Sequence, residues 1–195
     1  MPMSDLCLPA AVFGTLLALW TSTSTAQTEG AATDAVRGAH LATQCKERAA
    51  CPLFDEVYAT TPAFRHALSL SLRHGGERVP EWVKHKLSDA GAHRHAGPAT
   101  ATPMLPLAID GEPFLLGRMT DPERADHLVA ALYDTRIGAA TVFYVNPDGK
   151  GALLGPDADI LRRVMIDYMN PGSAFARSLA QPDLALPVPV SRRAE

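Results

Sequence analysis

The chain is predicted to fold as an α+β domain, in which helices cover one side of an antiparallel meander of four or five strands. Two observations carry that prediction. Apolar runs of four to six residues follow one another between Met104 and Leu154, separated by turn signals. Helical patterns flank that block, over Pro62–His74 before it and Asp157–Met169 after it.

The first element is Leu8 to Trp20, an uncharged apolar run. It is shorter than the roughly 20 residues a membrane span needs. Ser24, Thr25 and Ala26 follow with small side chains, which predicts a secretory signal over 1–26 cut after Ala26. The segment before the run carries Asp5 and no Lys or Arg, so only the terminal amine is positive there. Cys7 precedes the run, unlike a lipoprotein cysteine, and leaves with the signal. Cys45 and Cys51 remain, and two cysteines in an exported chain suggest one disulfide, worth roughly 2 kcal/mol for so short a loop. The C-x5-C spacing is not a zinc pattern, because no second ligand pair completes it. Cleavage removes only Asp5 among the charges and takes the net charge from −3 to about −2. Nucleic acid and anionic membranes are therefore poor partners. No later run is apolar enough to insert in a membrane, so the expected product is a periplasmic or secreted protein.

Residues 27–52 are expected to form an N-terminal extension: a linker over Gln27–Ala35, then a helix from Ala35 to about Arg48. Thr61, Pro62 and Gly75-Gly76 suit the N-cap, first turn and stop of a helix over Pro62–His74. Val79 to Lys84 predicts a short helical turn entered through Pro80, with Trp82 as a core anchor. Ser88 to Thr102 is polar and rich in Ala, Gly and His, which predicts a loop. Strands follow over Met104–Ile109, Phe114–Met119, Leu128–Tyr133, Ala140–Val145 and Gly151–Leu154. Turns fall at Asp110-Gly111, Asp134–Gly138 and Asn146–Gly149. Asp157 is expected to cap a helix through Met169, with Ile160, Leu161, Val164, Met165, Tyr168 and Met169 on one face. The Pro-rich residues 180–195 are expected to be a disordered tail.

Chemistry-bearing motifs are scarce. There is no Gly-rich phosphate loop, nucleophile elbow or H-E-x-x-H. His85, His93 and His95 could hold a metal, but a solvated loop is the better reading and no metal or cofactor is expected. Glu81 with Trp82 suits a capped helix start better than a sugar subsite. Asp121, Glu123 and Asp126 could supply an acid pair for glycoside hydrolysis, but one turn is a poor scaffold for two carboxylates at a defined separation. No active site emerges, and the chain is not expected to be an enzyme.

Three segments carry a resemblance: Leu53-Phe54 with Pro62–Leu72, then Val79-Pro80-Glu81-Trp82-Val83, then Pro106–Leu116 with its Ile-Asp-Gly-Glu-Pro-Phe turn. Together with Gly155–Met169, they resemble the Ivy family of periplasmic inhibitors of vertebrate c-type lysozyme. The likeness covers roughly 53–179 and implies a non-catalytic α+β domain. In that family a Cys-Lys-Pro-His-Asp-Cys loop after a hairpin strand enters the lysozyme cleft. The corresponding stretch here is Thr120-Asp121-Pro122-Glu123-Arg124-Ala125, which keeps only the proline. By that resemblance the partner is lysozyme or another muramidase, bound through Thr120, Asp121, Pro122, Glu123, Arg124 and His127. The competing reading is an Ivy-fold envelope binding protein that has lost inhibition.

Overall fold

Strand β3 sets the architecture. Six of its seven residues are buried, so both of its faces are covered. A strand of one layer against solvent would alternate in burial; this one requires a helical layer on each side. The computed structural model describes residues 38–85 and 101–191. The proposed signal, its cleavage point, the linker, His93 and His95 lie outside them.

Residues 38–44 are helical (α1). A 3-10 turn, Arg48–Ala50, precedes helices α2 (Phe54–Thr60), α3 (Pro62–His74) and α4 (Glu81–His85). Strands β1 (Leu105–Ile109), β2 (Glu112–Thr120), β3 (Leu128–Asp134), β4 (Ala139–Val145) and β5 (Gly151–Leu154) follow. Helices α5 (Asp159–Met169) and α6 (Ala174–Leu179) and strand β6 (Val188–Val190) complete the chain.

The α+β class and the five-strand meander are present, with three corrections. The sheet has six strands in the order β5-β4-β3-β2-β1-β6 and is mixed, because β6 runs parallel to β1. Helices cover both faces, not one. Phe54, Val57, Phe64, Leu68 and Leu72 pack on Leu115, Val129, Ala131, Tyr133 and Val142. Ile160, Val164 and Met165 pack on the opposite face, over Leu107, Leu116, Ala130 and Leu132. The period-2 alternation of the strands sends odd-numbered β3 residues to the first layer and even-numbered ones to the second. The third correction is the tail: residues 181–191 are ordered, with Leu186 and Val188 buried in the second layer.

Local chemistry explains the boundaries. At the β1–β2 turn, Asp110 and Gly111 both adopt positive φ, 50° and 87°, as a two-residue hairpin of the predicted kind requires. Asp134 Oδ1 accepts from the Arg136 and Ile137 amides and closes the β3–β4 turn. Gly155 has φ 108°, and a Cβ there would run into the Ala140 carbonyl, so this exit from β5 needs glycine.

Four local expectations need amendment. The predicted 35–48 helix is helical at 38–44 and has unwound before the 3-10 turn at Arg48. Thr61 precedes α3 without capping it through its side chain; its Oγ1 accepts from Ala39 N at 3.1 Å and ties α1 to α3. The last long helix starts at Asp159, and Asp157 instead pairs with Arg162 at 3.2 Å. Helix α2 lies where no element was predicted, and Glu56 steadies its start by accepting from Leu53 N at 2.8 Å.

Cys45 and Cys51 are disulfide-bonded, with Cα atoms 5.2 Å apart. The bond fixes the end of α1 to the strand-like entry into α2. No helix among the described residues is long and apolar enough to cross a membrane.

Candidate functional site: the β2–β3 loop

The connection from β2 to β3 is the longest in the meander, and its backbone is closed by its own hydrogen bonds. Asp121 N donates to His127 O at 2.8 Å, Arg124 N to Asp121 O at 3.2 Å, and His127 N to Arg124 O at 3.0 Å. Asp121 Oδ1 also accepts from Glu123 N at 2.9 Å, an aspartate turn with Pro122 fixing the next φ.

The second oxygen of Asp121 turns inward. Oδ2 lies 3.0 Å from His127 Nδ1, and His127 Nε2 lies 3.3 Å from the Tyr144 hydroxyl. A carboxylate only accepts, so Nδ1–H donates to Asp121; the Nε2–Tyr144 hydroxyl contact can run in either direction, because a hydroxyl both donates and accepts. Period 2 places His127 on the same face as Val129, and Val129 faces Tyr144 across the β3–β4 ladder. Trp82 of α4 closes the site edge-on, with its ring centre 5.3 Å from the imidazole. The histidine is 6% exposed. Burial raises the Tyr144 pKa, and the nearby Glu77 carboxylate adds to that rise.

The sequence-predicted loop residues therefore fall into two sets. Asp121 and His127 form the inner lock, with Pro122 half-buried between. Glu123, Arg124, Ala125 and Asp126 are exposed, while Thr120 ends β2. Arg124 is held as well: its Nη2 donates to Pro147 O at 2.7 Å and to Asp126 Oδ2 at 3.3 Å. The guanidinium contact holds the Asp126 carboxyl below its ordinary pKa. The three acids suggested for glycoside hydrolysis are thus divided, since Asp121 faces the core and Asp126 faces Arg124.

The Asp121–His127 pair has the form of an oriented general base, but its free nitrogen is committed to Tyr144. That hydroxyl is buried and its pKa is raised, which opposes its use as a nucleophile. The arrangement is suited to holding a loop. Trp82 contributes to the first layer, as expected of a core anchor, and its indole N–H is buried with no partner among the described residues. Glu81 pairs with Lys84 at 2.6 Å.

Sequence reasoning missed Tyr144 and the β4–β5 turn as members of the site. The parity of His127 with Val129, Ala131 and Tyr133 is the signal that marks its side chain as inward. A separate open groove of about 700 Å³ lies beside the disulfide, lined by Leu41, Gln44, Pro52, Leu53 and Glu56 among others. It takes no residue from the loop. No family model, curated protein or solved structure matches this chain.

Proposed function

We propose that the protein is an exported inhibitor, or immunity protein, of lysozyme or another peptidoglycan-cleaving glycosidase. In this reading the Thr120–His127 loop enters the enzyme's cleft. The observation that carries it is the lock of Asp121 on His127 and of His127 on Tyr144, which pre-forms a loop with Glu123, Arg124 and Asp126 outward. An inhibitor gains affinity when its binding loop is ordered before contact, because less conformational entropy is lost on docking. The Ivy resemblance supplies the target class. The inner lock does here, without cysteines, what the disulfide of the family's loop does there.

The tip chemistry differs from that family's. Glu123, where the family has histidine, cannot donate to the catalytic carboxylates of a glycosidase when ionised and is repelled by them. Arg124 is the donor left at the tip. Only its Nη2 is engaged; Nε and Nη1 have no partner among the described residues and suit bidentate pairing with a carboxylate.

The test is a panel of muramidases, c-type and bacterial, assayed for lysis and for complex formation by gel filtration. Inhibition of at least one, abolished by Arg124→Glu, is the expected result. Tighter inhibition by Glu123→His would point to the family's own mode. Normal lysis by every enzyme, with no complex, sinks the proposal.

A second reading has its own support. Arg124 is tied to Asp126 and Pro147, and Glu123 beside it is exposed, which suits an envelope binding protein that no longer inhibits lysozyme. Under that reading a Gly/Ser replacement of the loop leaves partner capture from periplasm unchanged.

A further inference from the structure

Resting on the inhibitor reading, we propose that the contact surface is composite: the β4–β5 turn over 146–150 sits on the rim of the cleft that the β2–β3 loop enters. Topology puts the two connections at one end of the sheet. Thr120 pairs with Leu128, Leu128 with Val145 and Val145 with Gly151, so both hairpins leave the sheet from a single row. The midpoints of hairpins β2–β3 and β4–β5 lie two strand spacings apart, about 10 Å.

Each connection is rigid by itself. Asn146 Oδ1 accepts from the Asp148 and Lys150 amides at 3.1 Å and 3.0 Å, and Gly149 takes φ 75° to complete the turn. Arg124 then bridges the two, its Nη2 on Pro147 O at 2.7 Å across 23 residues of chain. A lone tip would have no need of that bridge, and an arginine serving only solubility would point into solvent. The bridge fixes the second turn relative to the first, as two contact points on one partner require.

The second turn also indicates what it would meet. Pro147, Asp148, Gly149 and Lys150 are exposed, and the Asp148 carboxylate has no partner among the described residues. A lysine or arginine on the cleft rim is its complement, and a contact at the rim acts largely through association rate and salt dependence. Lys150 in the same turn carries the opposite charge, so Asp148 specifies one cationic contact on the rim of that glycosidase and not the sign of the whole margin.

The experiment uses the mature full chain against whichever muramidase the wild type inhibits. Asp148→Arg should weaken inhibition about tenfold, mostly through slower association at low salt, with the thermal midpoint unchanged. Arg124→Met should weaken it too and should raise amide exchange in both turns together, an effect that loss of one tip contact does not produce. Inhibition by Asp148→Arg within about twofold of wild type, while Gly/Ser replacement of 122–125 abolishes it, overturns the composite surface and leaves the inhibitor reading standing. If the wild type binds no muramidase, both fall.

Discussion

The β2–β3 loop and the chain after Ala180 are both proline-containing stretches without helical periodicity, yet they are ordered by opposite means. The loop is held by polar contacts: one aspartate closes an aspartate turn with one oxygen and orients a buried histidine with the other. The C-terminal stretch is held by apolar anchors. Leu186 and Val188 are buried, Leu184 and Val190 partly so, and Asp110 N donates to Val190 O at 2.9 Å. A polar lock depends on single atoms, because a buried group that loses its partner keeps its full desolvation cost. Apolar anchoring scales with buried area and degrades by increments. Composition does not distinguish the two cases; the presence of a partner surface does.

The largest expected effect falls on the polar lock. His127→Ala should cost about 2–4 kcal/mol, since it leaves a cavity and strips partners from Asp121 and Tyr144. Urea denaturation measures it, and a loss under about 0.5 kcal/mol would show that the loop holds itself. Leu186→Ala tests the apolar side and should cost about 2 kcal/mol, at the low end for leucine because the site is peripheral. Unlike the histidine change, it should leave amide protection of the β2–β3 loop intact. Replacing Cys45 and Cys51 together by serine should cost a similar amount, roughly 2 kcal/mol, read as a lowered thermal midpoint. Tyr144→Phe removes one hydroxyl contact from the lock and should cost about 1 kcal/mol.

The smallest effect is spectroscopic. The four tyrosines, Tyr58, Tyr133, Tyr144 and Tyr168, all have pKa values raised above the ordinary 10.0, with burial the leading cause in each. The unfolded chain releases these protons first as pH rises past 10, so folding stability is complete below that value and declines above it. Absorbance of tyrosinate should appear late, together with alkaline unfolding. Normal titration of all four near pH 10 in the folded state would contradict their burial.

Much of the fold was legible in the sequence because local chemistry determined it. The five apolar runs became β1 to β5, and Asp110-Gly111 became the hairpin turn that its positive-φ preference demands. Helix α3 occupies Pro62–His74, between proline and the glycine pair, as predicted. The sixth strand left a trace that the prolines masked. Leu184, Leu186, Val188 and Val190 alternate at period 2, and Pro187 and Pro189 are tolerable on an edge strand that lacks a second neighbour. The second helical layer left a trace in the unbroken apolar run Leu128–Tyr133, since a strand with one face in solvent alternates apolar and polar residues.

The candidate site was legible as a place and not as an arrangement. Residue types alone mark a polar loop between two apolar strands, carrying a proline, three acids, an arginine and a histidine. Which of these face inward depends on contacts with distant parts of the chain. Tyr144 and Trp82 lie 17 and 45 positions from His127, and Pro147 lies 23 from Arg124. Strand registry and the docking of α4 bring them together, and hydrogen bonds of about 3 Å require that placement. Turns and strands follow from the preferences of neighbouring residues. A lock between distant side chains has no counterpart in local preference.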